Sequence, residues 1–272
     1  MRIGRIAYLN VAPYFHYLSQ RDEDEIVTGV PSELNRLLFE SQIDVCPSSS
    51  FEYGLHADQY LILPNHSISS IGPVHSVLLF ANQPLSMLSG AEIVVTGESA
   101  TSINLLHILL REFCHVEDVV FRVSDRPVEG HLKRGDNLLL IGDRALAAAQ
   151  SNPQAHQITD LGALWHHFTG LPFVFALWIL RREFAQQNPE AVNGLLNNLE
   201  ASRHRAFENL EEMAAAMDDN AVLSVAQMQQ YWRGMSYELT DGHLEGLRLY
   251  FALCQKYDLL EQIPELQFFA AT

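Results

Sequence analysis

Short β-like runs alternate with helical segments along most of this chain. The first run, residues 3–9, leads into a helix at Pro13, and the second, residues 26–28, leads into a helix that opens at Pro31. Proline is tolerated in the first turn of a helix, because its missing N–H has no intrahelical partner there. A third run at residues 43–46 completes the block. Parallel strands need long crossover connections, usually helices, so this order predicts a parallel sheet flanked by helices.

A second block repeats the alternation in the middle of the chain. Its predicted strands occupy residues 74–80, 93–95, 119–123 and 138–141. A buried run at residues 173–178 leads back from this block, and everything after Arg181 has helical character. We expect an α/β fold with two lobes, each a mainly parallel sheet flanked by helices, and a ligand cleft between them.

The chain passes once from the first block to the second and once back again. These two crossings divide it into a discontinuous lobe and a continuous one. Lobe I is expected to comprise residues 1–82 and 176–272, with both chain ends and the helical C-terminal part. Lobe II is expected to comprise residues 83–175. Ligands of open α/β sheets bind beyond the carboxyl ends of the strands, next to helix N-termini. The cleft between the lobes is therefore the predicted ligand site.

The chain is strongly acidic, with 33 Asp and Glu residues against 17 Lys and Arg residues and a formal net charge of −16. Nucleic acids and anionic membranes attract basic surfaces, so neither is an expected partner. The start of the chain lacks the apolar stretch of a signal peptide, and the longest apolar run, residues 173–180, is too short to span a bilayer. The scattered Cys46, Cys114 and Cys254 form no disulfide framework. We therefore expect a cytoplasmic protein, either a monomer or a homodimer.

Hydroxyl-rich runs follow two of the predicted strands. Ser48 and Ser49 follow the third strand, and Thr101 and Ser102 open a helix in the second block. Free N–H groups and hydroxyls at a helix start hold a carboxylate without any lysine. In each run the hydroxyls can instead cap their own helix, which is an equally good interpretation of the local sequence. Two such runs on opposing lobes would form a clamp for two carboxylates.

Three further polar residues stand where predicted strands end or cross between the lobes. Asn10 is either a turn former or an uncharged hydrogen-bonding group in the cleft. Ser76 lies in an apolar crossing strand, where its hydroxyl bonds locally or faces a ligand. Asp143 is either the cap of the following helix or a general base. We consider Asn10, Ser76 and Asp143 candidate catalytic residues.

Familiar metal and cofactor motifs are missing from the sequence. His166 and His167 are adjacent and point apart, and neither HExxH nor paired cysteine spacing occurs. Glycine-rich nucleotide-binding motifs and a GxSxG nucleophile motif are also missing. Cys46, in a predicted strand, is more typical of a small buried hydrophobe than of a nucleophile. We expect neither a metal nor a cofactor.

Six segments carry a family resemblance. They are residues 5–13 (RIAYLNVAP), 43–53 (IDVCPSSSFEY), 72–80 (GPVHSVLLF), 101–105 (TSINL), 141–143 (IGD) and 169–178 (TGLPFVFALW). In this order they resemble the chorismate dehydratases (MqnA) of the futalosine route to menaquinone, within the MqnA/MqnD family. The similarity covers about residues 2–180 and continues weakly through the C-terminal helices. Three positions depart from the family pattern: Cys46 replaces the commoner serine, Ser50 extends the usual serine pair, and Ala81 replaces a polar residue.

The resemblance implies a two-lobed periplasmic-binding-protein type II fold and a carbon–oxygen lyase. Its substrate would be chorismate, a small dianion, which loses water to give 3-[(1-carboxyvinyl)oxy]benzoate. The two hydroxyl-rich runs would bind the carboxylates, while Asn10 and Ser76 would contact the reacting region. The base stays open between the substrate's own side-chain carboxylate and Asp143.

Three other functions remain open. The sister enzyme 1,4-dihydroxy-6-naphthoate synthase shares the fold, but residues 72–80 and 169–178 favour the dehydratase. A non-catalytic protein that binds small anions is the second alternative, and the lack of a signal peptide counts against a transport receptor. The third is a ligand-sensing effector domain, for which we see no DNA-binding helix-turn-helix before the first strand.

Overall fold

The computed structural model describes residues 1–124, 129–151, 157–217 and 222–270, and its strands form two five-stranded sheets. In spatial order, the first sheet consists of β2 (Glu25–Gly29), β1 (Arg2–Ile6), β3 (Val45–Ser49), β10 (Phe173–Arg181) and β4 (Tyr60–Ser70). The second consists of β7 (Val120–Val123), β6 (Glu92–Val95), β8 (Asn137–Ile141), β5 (Val77–Ala81) and β9 (Gln157–Asp160).

Helices connect the strands and form most of the C-terminal part. In chain order they are α1 (Ala12–Phe15), α2 (Pro31–Phe39), α3 (Ser50–Leu55), α4 (Ala100–Ile108), α5 (Glu129–Arg134), α6 (Gly142–Ser151), α7 (Leu161–Thr169), α8 (Arg182–Gln187), α9 (Pro189–Glu208), α10 (Leu210–Ala215), α11 (Val225–Gly234) and α12 (Asp241–Lys256). Short 3-10 turns occupy Leu9–Val11 and Leu85–Met87, and a wider π turn at Leu109–Phe113 continues α4. Within the described ranges, no helix has the length and apolar character needed to cross a bilayer.

Both sheets mix parallel and antiparallel pairs. β1 is parallel to β2 and β3, and β6 is parallel to β7 and β8. In contrast, β10 is antiparallel to β3 and β4, and β5 is antiparallel to β8 and β9. In each sheet, four of the five strands therefore run in one direction, and the prediction of an α/β fold with two mainly parallel sheets is confirmed. The strands that run the opposite way are β10 and β5, each of which follows a passage between the sheets.

Two strands were not predicted from the sequence. β4 contains Pro64 and Asn65, and the latter has a positive φ of 64°. The register between β4 and β10 shifts twice, so the side chains of β4 do not keep a simple alternation. β9 has the sequence QITD, with half of its residues exposed, and is too short and polar to stand out. Both strands lie at sheet edges, where such sequences are tolerated.

The chain passes between the sheets twice. The first passage lies between β4 and β5, around Gly72 (φ +91°), and the second lies between α7 and β10, at Gly170 (φ +70°). Positive φ at these glycines suits the sharp turns, because glycine has no Cβ. The sheet boundaries therefore fall before Val77 and before Phe173, whereas the sequence placed them after residue 82 and after residue 175. The cause is that residues 77–81 pair with β8 and β9, and residues 173–175 already belong to the strand that pairs with β4.

The C-terminal helices cover the first sheet and extend to the second block. α9 packs on α1, while α12 packs on β10, α3 and α4. Leu247, Phe251 and Cys254 of α12 are buried, and Leu244 is partly buried. Because α12 contacts both α3 and α4, it supports the two helices whose first turns face the cleft.

Candidate functional site: a neutral cavity between the two sheets

A small cavity of about 50 Å³ lies between the two sheets. Its polar lining comes from Tyr8, Asn10, Ser49, Ser76, Ser99 and Ser102. Apolar residues from both sheets, among them Ile6, Ile68, Val77 and Phe175, form the rest of the wall. The lining contains neither a carboxylate nor a Lys, Arg or His side chain among the described residues. The site therefore offers hydroxyl and amide groups in a largely apolar surrounding.

Asn10 lies in the 3-10 turn that follows β1. Its side-chain oxygen is buried and, among the described residues, finds no hydrogen-bond partner. A buried acceptor without a partner costs on the order of 1–3 kcal/mol, so such an atom is expected to bind something when the site is filled. The main-chain oxygen of Asn10 accepts a hydrogen bond from the Tyr237 hydroxyl at 2.9 Å. This bond fixes the backbone, while the amide remains available to a ligand.

Ser49 stands at the start of α3, at the end of the first sheet's central strand. Its hydroxyl caps the helix by accepting the Glu52 N–H at 3.2 Å, and Asn35 approaches the same oxygen at 3.5 Å. Ser49 also lines the cavity. The sequence left capping and ligand binding as alternatives, but the position of this residue permits both.

The start of α4 faces the cavity from the second block. Ser99, not Thr101 or Ser102, caps this helix: its oxygen accepts the Ser102 N–H at 3.3 Å. The hydroxyls of Ser99 and Ser102 lie 3.1 Å apart, and both line the cavity. The first N–H groups of a helix lack intrahelical partners, so this turn is suited to bind an anion.

Ser48 and Thr101 are buried next to the cavity but do not line it. The Ser48 hydroxyl lies 2.9 Å from the Cys46 Sγ atom, within β3. The Thr101 hydroxyl accepts the Phe51 N–H at 3.0 Å and so joins α4 to α3. Ser48 points away from the cavity because successive residues of a strand point to opposite faces and the neighbouring Ser49 points toward the cavity. Both residues therefore hold neighbouring parts of the structure in place and have no direct contact with the cavity.

Ser76 lies in the passage that precedes β5, and its hydroxyl faces the cavity. The Tyr231 hydroxyl donates to Ser76 Oγ at 2.8 Å, and the carbonyl of Val74 lies 3.4 Å from the same atom. Ser76 is almost fully buried. The passage is itself held by Asp160, whose carboxylate accepts the N–H groups of Val74 and His75.

Asp143, in the first turn of α6, lies outside the cavity lining. Its carboxylate accepts the Leu9 N–H at 3.0 Å, and so joins α6 to the turn that carries Asn10. Burial raises the pKa of Asp143, while the bond from Leu9 acts in the opposite direction. The carboxylate thus occupies a partly buried position between the two blocks.

Tyr8 is a site residue that the sequence did not single out. Its hydroxyl donates to Glu98 at 2.7 Å, and Glu98 is also 3.3 Å from Arg144. Burial, followed by the contact with Glu98, raises the pKa of Tyr8, so its hydroxyl stays protonated. Its ring packs on Gly142, where an added Cβ would lie 2.8 Å from a ring carbon. Its place in the first strand-to-helix connection was visible in the sequence, but its reach across the cleft was not.

Across the described ranges, no cluster of three or more His, Cys, Asp or Glu side chains has the arrangement of a metal site. The cysteines in these ranges are free, and burial raises the pKa of the Cys46 thiol to about 12. A thiol with such a pKa is a poor nucleophile near neutral pH. What the described lining offers is hydroxyl and amide groups beside two helix N-termini.

Comparison with known proteins identifies the family. Residues 1–256 match a family model described as menaquinone biosynthesis. A chorismate dehydratase from Thermus thermophilus is 33% identical over 262 residues, which cover 91% of this chain and 93% of the relative. A 1,4-dihydroxy-6-naphtoate synthase from the same organism is 27% identical over 209 residues, which cover 76% of this chain and 67% of that enzyme.

A solved structure supports the architecture. The periplasmic aliphatic sulphonate binding protein SsuA from Escherichia coli superposes with a TM-score of 0.70 at 14% identity, and the match covers 100% of this chain and 92% of SsuA. At this identity the likeness concerns the fold alone, which is the two-lobed fold of periplasmic binding proteins. Together with the family match over most of its length, these findings show that the chain belongs to the menaquinone biosynthesis family.

Proposed function

We propose that this protein is a chorismate dehydratase, which eliminates water from chorismate to give 3-[(1-carboxyvinyl)oxy]benzoate in menaquinone biosynthesis. The observation that carries the proposal is the cavity lined by uncharged hydrogen-bonding groups from both sheets. The similarity to the chorismate dehydratase of Thermus thermophilus over nearly the whole chain supports it. The futalosine route and a cytoplasmic location belong to the same proposal, and the free cysteines fit a reducing compartment.

The reaction does not require the protein to form a covalent bond with the substrate. The departing proton is on the ring carbon that bears the enolpyruvyl ether, and that carbon is conjugated through a ring double bond to the ring carboxylate. Removal of the proton moves negative charge onto this carboxylate. Loss of the neighbouring hydroxyl group as water then gives an aromatic ring. Because aromatisation supplies the driving force, the protein has to orient the substrate, stabilise the developing charge and exclude water.

The two helix starts at the cavity suit the two carboxylates. α3 begins directly after Ser49, and α4 begins directly after Ser99. The first turns of the two helices face the cavity from different sheets. Partial positive charge at a helix N-terminus attracts anions without a basic side chain. The Ser102 hydroxyl adds a donor at the second start. Neutral donors matter here because the substrate is a dianion and the protein itself carries a formal charge of −16.

Asn10 and Ser76 contact the reacting part of the ring in this proposal. The unpartnered side-chain oxygen of Asn10 accepts a hydrogen bond from the substrate hydroxyl that departs, and so fixes the orientation of that hydroxyl. Ser76 donates its hydroxyl proton toward the developing charge, because one of its lone pairs already receives the Tyr231 proton. Donors that are held in place before reaction are worth several kcal/mol in an apolar site.

The base in this mechanism is the substrate's own side-chain carboxylate. Of the described side chains that line the cavity, Tyr8 alone is titratable, and its raised pKa makes it unsuitable as a base. Asp143, the protein alternative, uses its carboxylate to hold the Leu9 N–H. We assign Asp143 the role of positioning the turn that carries Asn10, and Ser48 and Thr101 the role of supporting the helix starts.

Incubation of the purified protein with chorismate tests this function. Chorismate should disappear while an aromatic product lighter by one water accumulates, as followed by ultraviolet absorbance and mass spectrometry. A protein that only captures small anions would bind chorismate and leave it unchanged. A 1,4-dihydroxy-6-naphthoate synthase would also leave chorismate unchanged, so either result contradicts the proposal.

A further inference from the structure

One segment of the C-terminal part contacts two of the three candidate catalytic residues, Asn10 and Ser76. It comprises residues 231–237, from the end of α11 into the following loop. Tyr231 donates to the Ser76 hydroxyl at 2.8 Å, and Tyr237 donates to the main-chain oxygen of Asn10 at 2.9 Å. Between them, the Trp232 indole donates to the main-chain oxygen of Leu9 at 2.8 Å. The segment therefore holds both Ser76 and the backbone of the turn that carries Asn10, and these two residues line the same cavity.

Tyr231 donates a buried hydrogen bond to Ser76. Its side chain is buried and comes from a helix that is remote in sequence, 155 positions after Ser76. Burial raises the pKa of its phenol, so the hydroxyl keeps its proton for donation. Its interaction with Ser76 is a buried hydrogen bond between two neutral groups, and such a bond is stronger in the protein interior than in water.

We propose that Tyr231 is a positioning residue that turns the Ser76 hydroxyl proton toward the substrate. A serine hydroxyl rotates freely and has one proton and two lone pairs. When Tyr231 donates to one lone pair, the Ser76 proton has to point elsewhere: to the Val74 carbonyl, which is distant at 3.4 Å, or into the cavity. A ligand oxygen in the cavity is then the better acceptor, because a hydrogen bond weakens as its length exceeds about 3.2 Å.

This inference rests on the proposed function and concerns the chemical step more than binding. The carboxylates are held by the helix starts at Ser49 and Ser99, which Tyr231 does not contact. Loss of the Tyr231 hydroxyl therefore leaves substrate affinity nearly unchanged. It frees the Ser76 hydroxyl to rotate, so the donor is correctly oriented for only part of the time when negative charge develops.

Tyr231→Phe provides the test, because it removes one oxygen and keeps the ring. We expect kcat for chorismate to fall about tenfold while KM changes less than about twofold. In a Ser76→Ala background, the same substitution should have no further effect on kcat, since the hydroxyl that it positions is gone. A merely structural role would reduce kcat by the same factor in both backgrounds.

The matched control is Tyr53→Phe. Tyr53 is also buried, and its hydroxyl donates to the main-chain oxygen of Glu265 at 2.7 Å, away from the cavity. This variant should keep the wild-type kcat and KM. Thermal unfolding checks both variants, and if Tyr231→Phe is destabilised, kcat and KM of all variants are compared at a temperature at which it is folded.

The outcomes separate the two proposals. If the wild-type protein forms no product from chorismate, the proposed function fails, and the role of Tyr231 fails with it. If the wild type is active but Tyr231→Phe retains full kcat, or loses the same factor with and without Ser76, only the positioning role is overturned.

Discussion

At the scale of single residues, the site depends on polar atoms that are buried before any ligand is bound. The Asn10 side-chain oxygen is the clearest case, because it has no hydrogen-bond partner among the described residues. Folding has to offset the cost of burying such an atom. A site that keeps this atom unpaired is prepared for a hydrogen-bond donor from a ligand, and chorismate carries one on the carbon next to the ether.

Removal of either polar side chain should affect turnover strongly. We expect Asn10→Ala and Ser76→Ala each to lower kcat for chorismate by about 100-fold, because each removes a group that contacts the reacting region. Thermal unfolding of Asn10→Ala should change little, whereas Ser76→Ala should cost about 1–3 kcal/mol of stability, because it leaves the buried Tyr231 hydroxyl without its acceptor. Near-wild-type kcat in both variants would contradict the proposed roles.

Asp143→Asn distinguishes the two candidate bases. Asparagine keeps an oxygen that accepts the Leu9 N–H but cannot take up a proton. If the substrate's carboxylate is the base, kcat should remain within about threefold of wild type. General base catalysis contributes about 10²–10⁴-fold, so a loss of that size would instead assign the proton transfer to Asp143.

The same substitution should change how stability depends on pH. Burial raises the pKa of Asp143 above that of an unfolded carboxyl group. A group of this kind contributes its full stability below the unfolded pKa and loses it as the pH rises through the folded pKa. Asparagine does not titrate, so the stability of Asp143→Asn relative to wild type should increase from about pH 4 to about pH 7. Urea unfolding at both values measures this, and a constant difference would contradict the burial of an ionisable Asp143.

At the scale of elements, the helix starts connect stability to binding. Ser99 caps α4 and lines the cavity at the same time. Ser99→Ala should cost about 0.5–2 kcal/mol of stability through loss of the cap and should also raise KM for chorismate several-fold. Ser224→Ala is the control, because Ser224 caps α11 through a capping box and lies outside the cavity lining. It should cost similar stability with an unchanged KM, as unfolding and steady-state kinetics will show. Equal KM effects in both variants would contradict the binding role of the α4 start.

The sequence predicted most of these elements but not all of the site. Polar residues at strand ends indicated the edge where Asn10, Ser49, Ser76 and Ser102 line one cavity, although their catalytic and binding roles stay predictions. Alternation within a single run could not tell which of Ser48 and Ser49 faces the cavity, because a shift of one residue reverses the face. Tyr231 could not be found either, since its contact with Ser76 depends on how a distant helix packs.

At the scale of the whole molecule, several contacts join the first block to the second around the cavity. Tyr8 bonds to Glu98, Leu9 to Asp143, and the Phe51 N–H to Thr101. We propose that the two lobes correspond to these blocks and move together when substrate binds, as enzymes that exclude water commonly do. The passages between the sheets, near Gly72 and Gly170, are the places where such motion would be absorbed.

Gly142 tests how closely the blocks must approach. It has a φ of +59°, and an added Cβ would meet the Tyr8 ring at 2.8 Å. Gly90 has a φ of +71° and open space around it. Gly90→Ala therefore introduces backbone strain without a steric clash. We expect Gly90→Ala to cost about 1 kcal/mol with normal kinetics. Gly142→Ala should cost more and lower kcat/KM for chorismate at least tenfold, because the ring that lines the cavity is displaced. Equal stability and kinetics for the two variants would argue against a tight approach.

The central claim is that a cavity of neutral donors converts chorismate into an aromatic product. The most direct test mixes purified protein with chorismate, without added cofactor, and quantifies 3-[(1-carboxyvinyl)oxy]benzoate by mass spectrometry beside an Asn10→Ala, Ser76→Ala double variant. We predict that the wild type forms one product molecule for each chorismate consumed over many turnovers, and that the double variant forms almost none. Intact chorismate after incubation with the wild type, or equal product from both proteins, would contradict it.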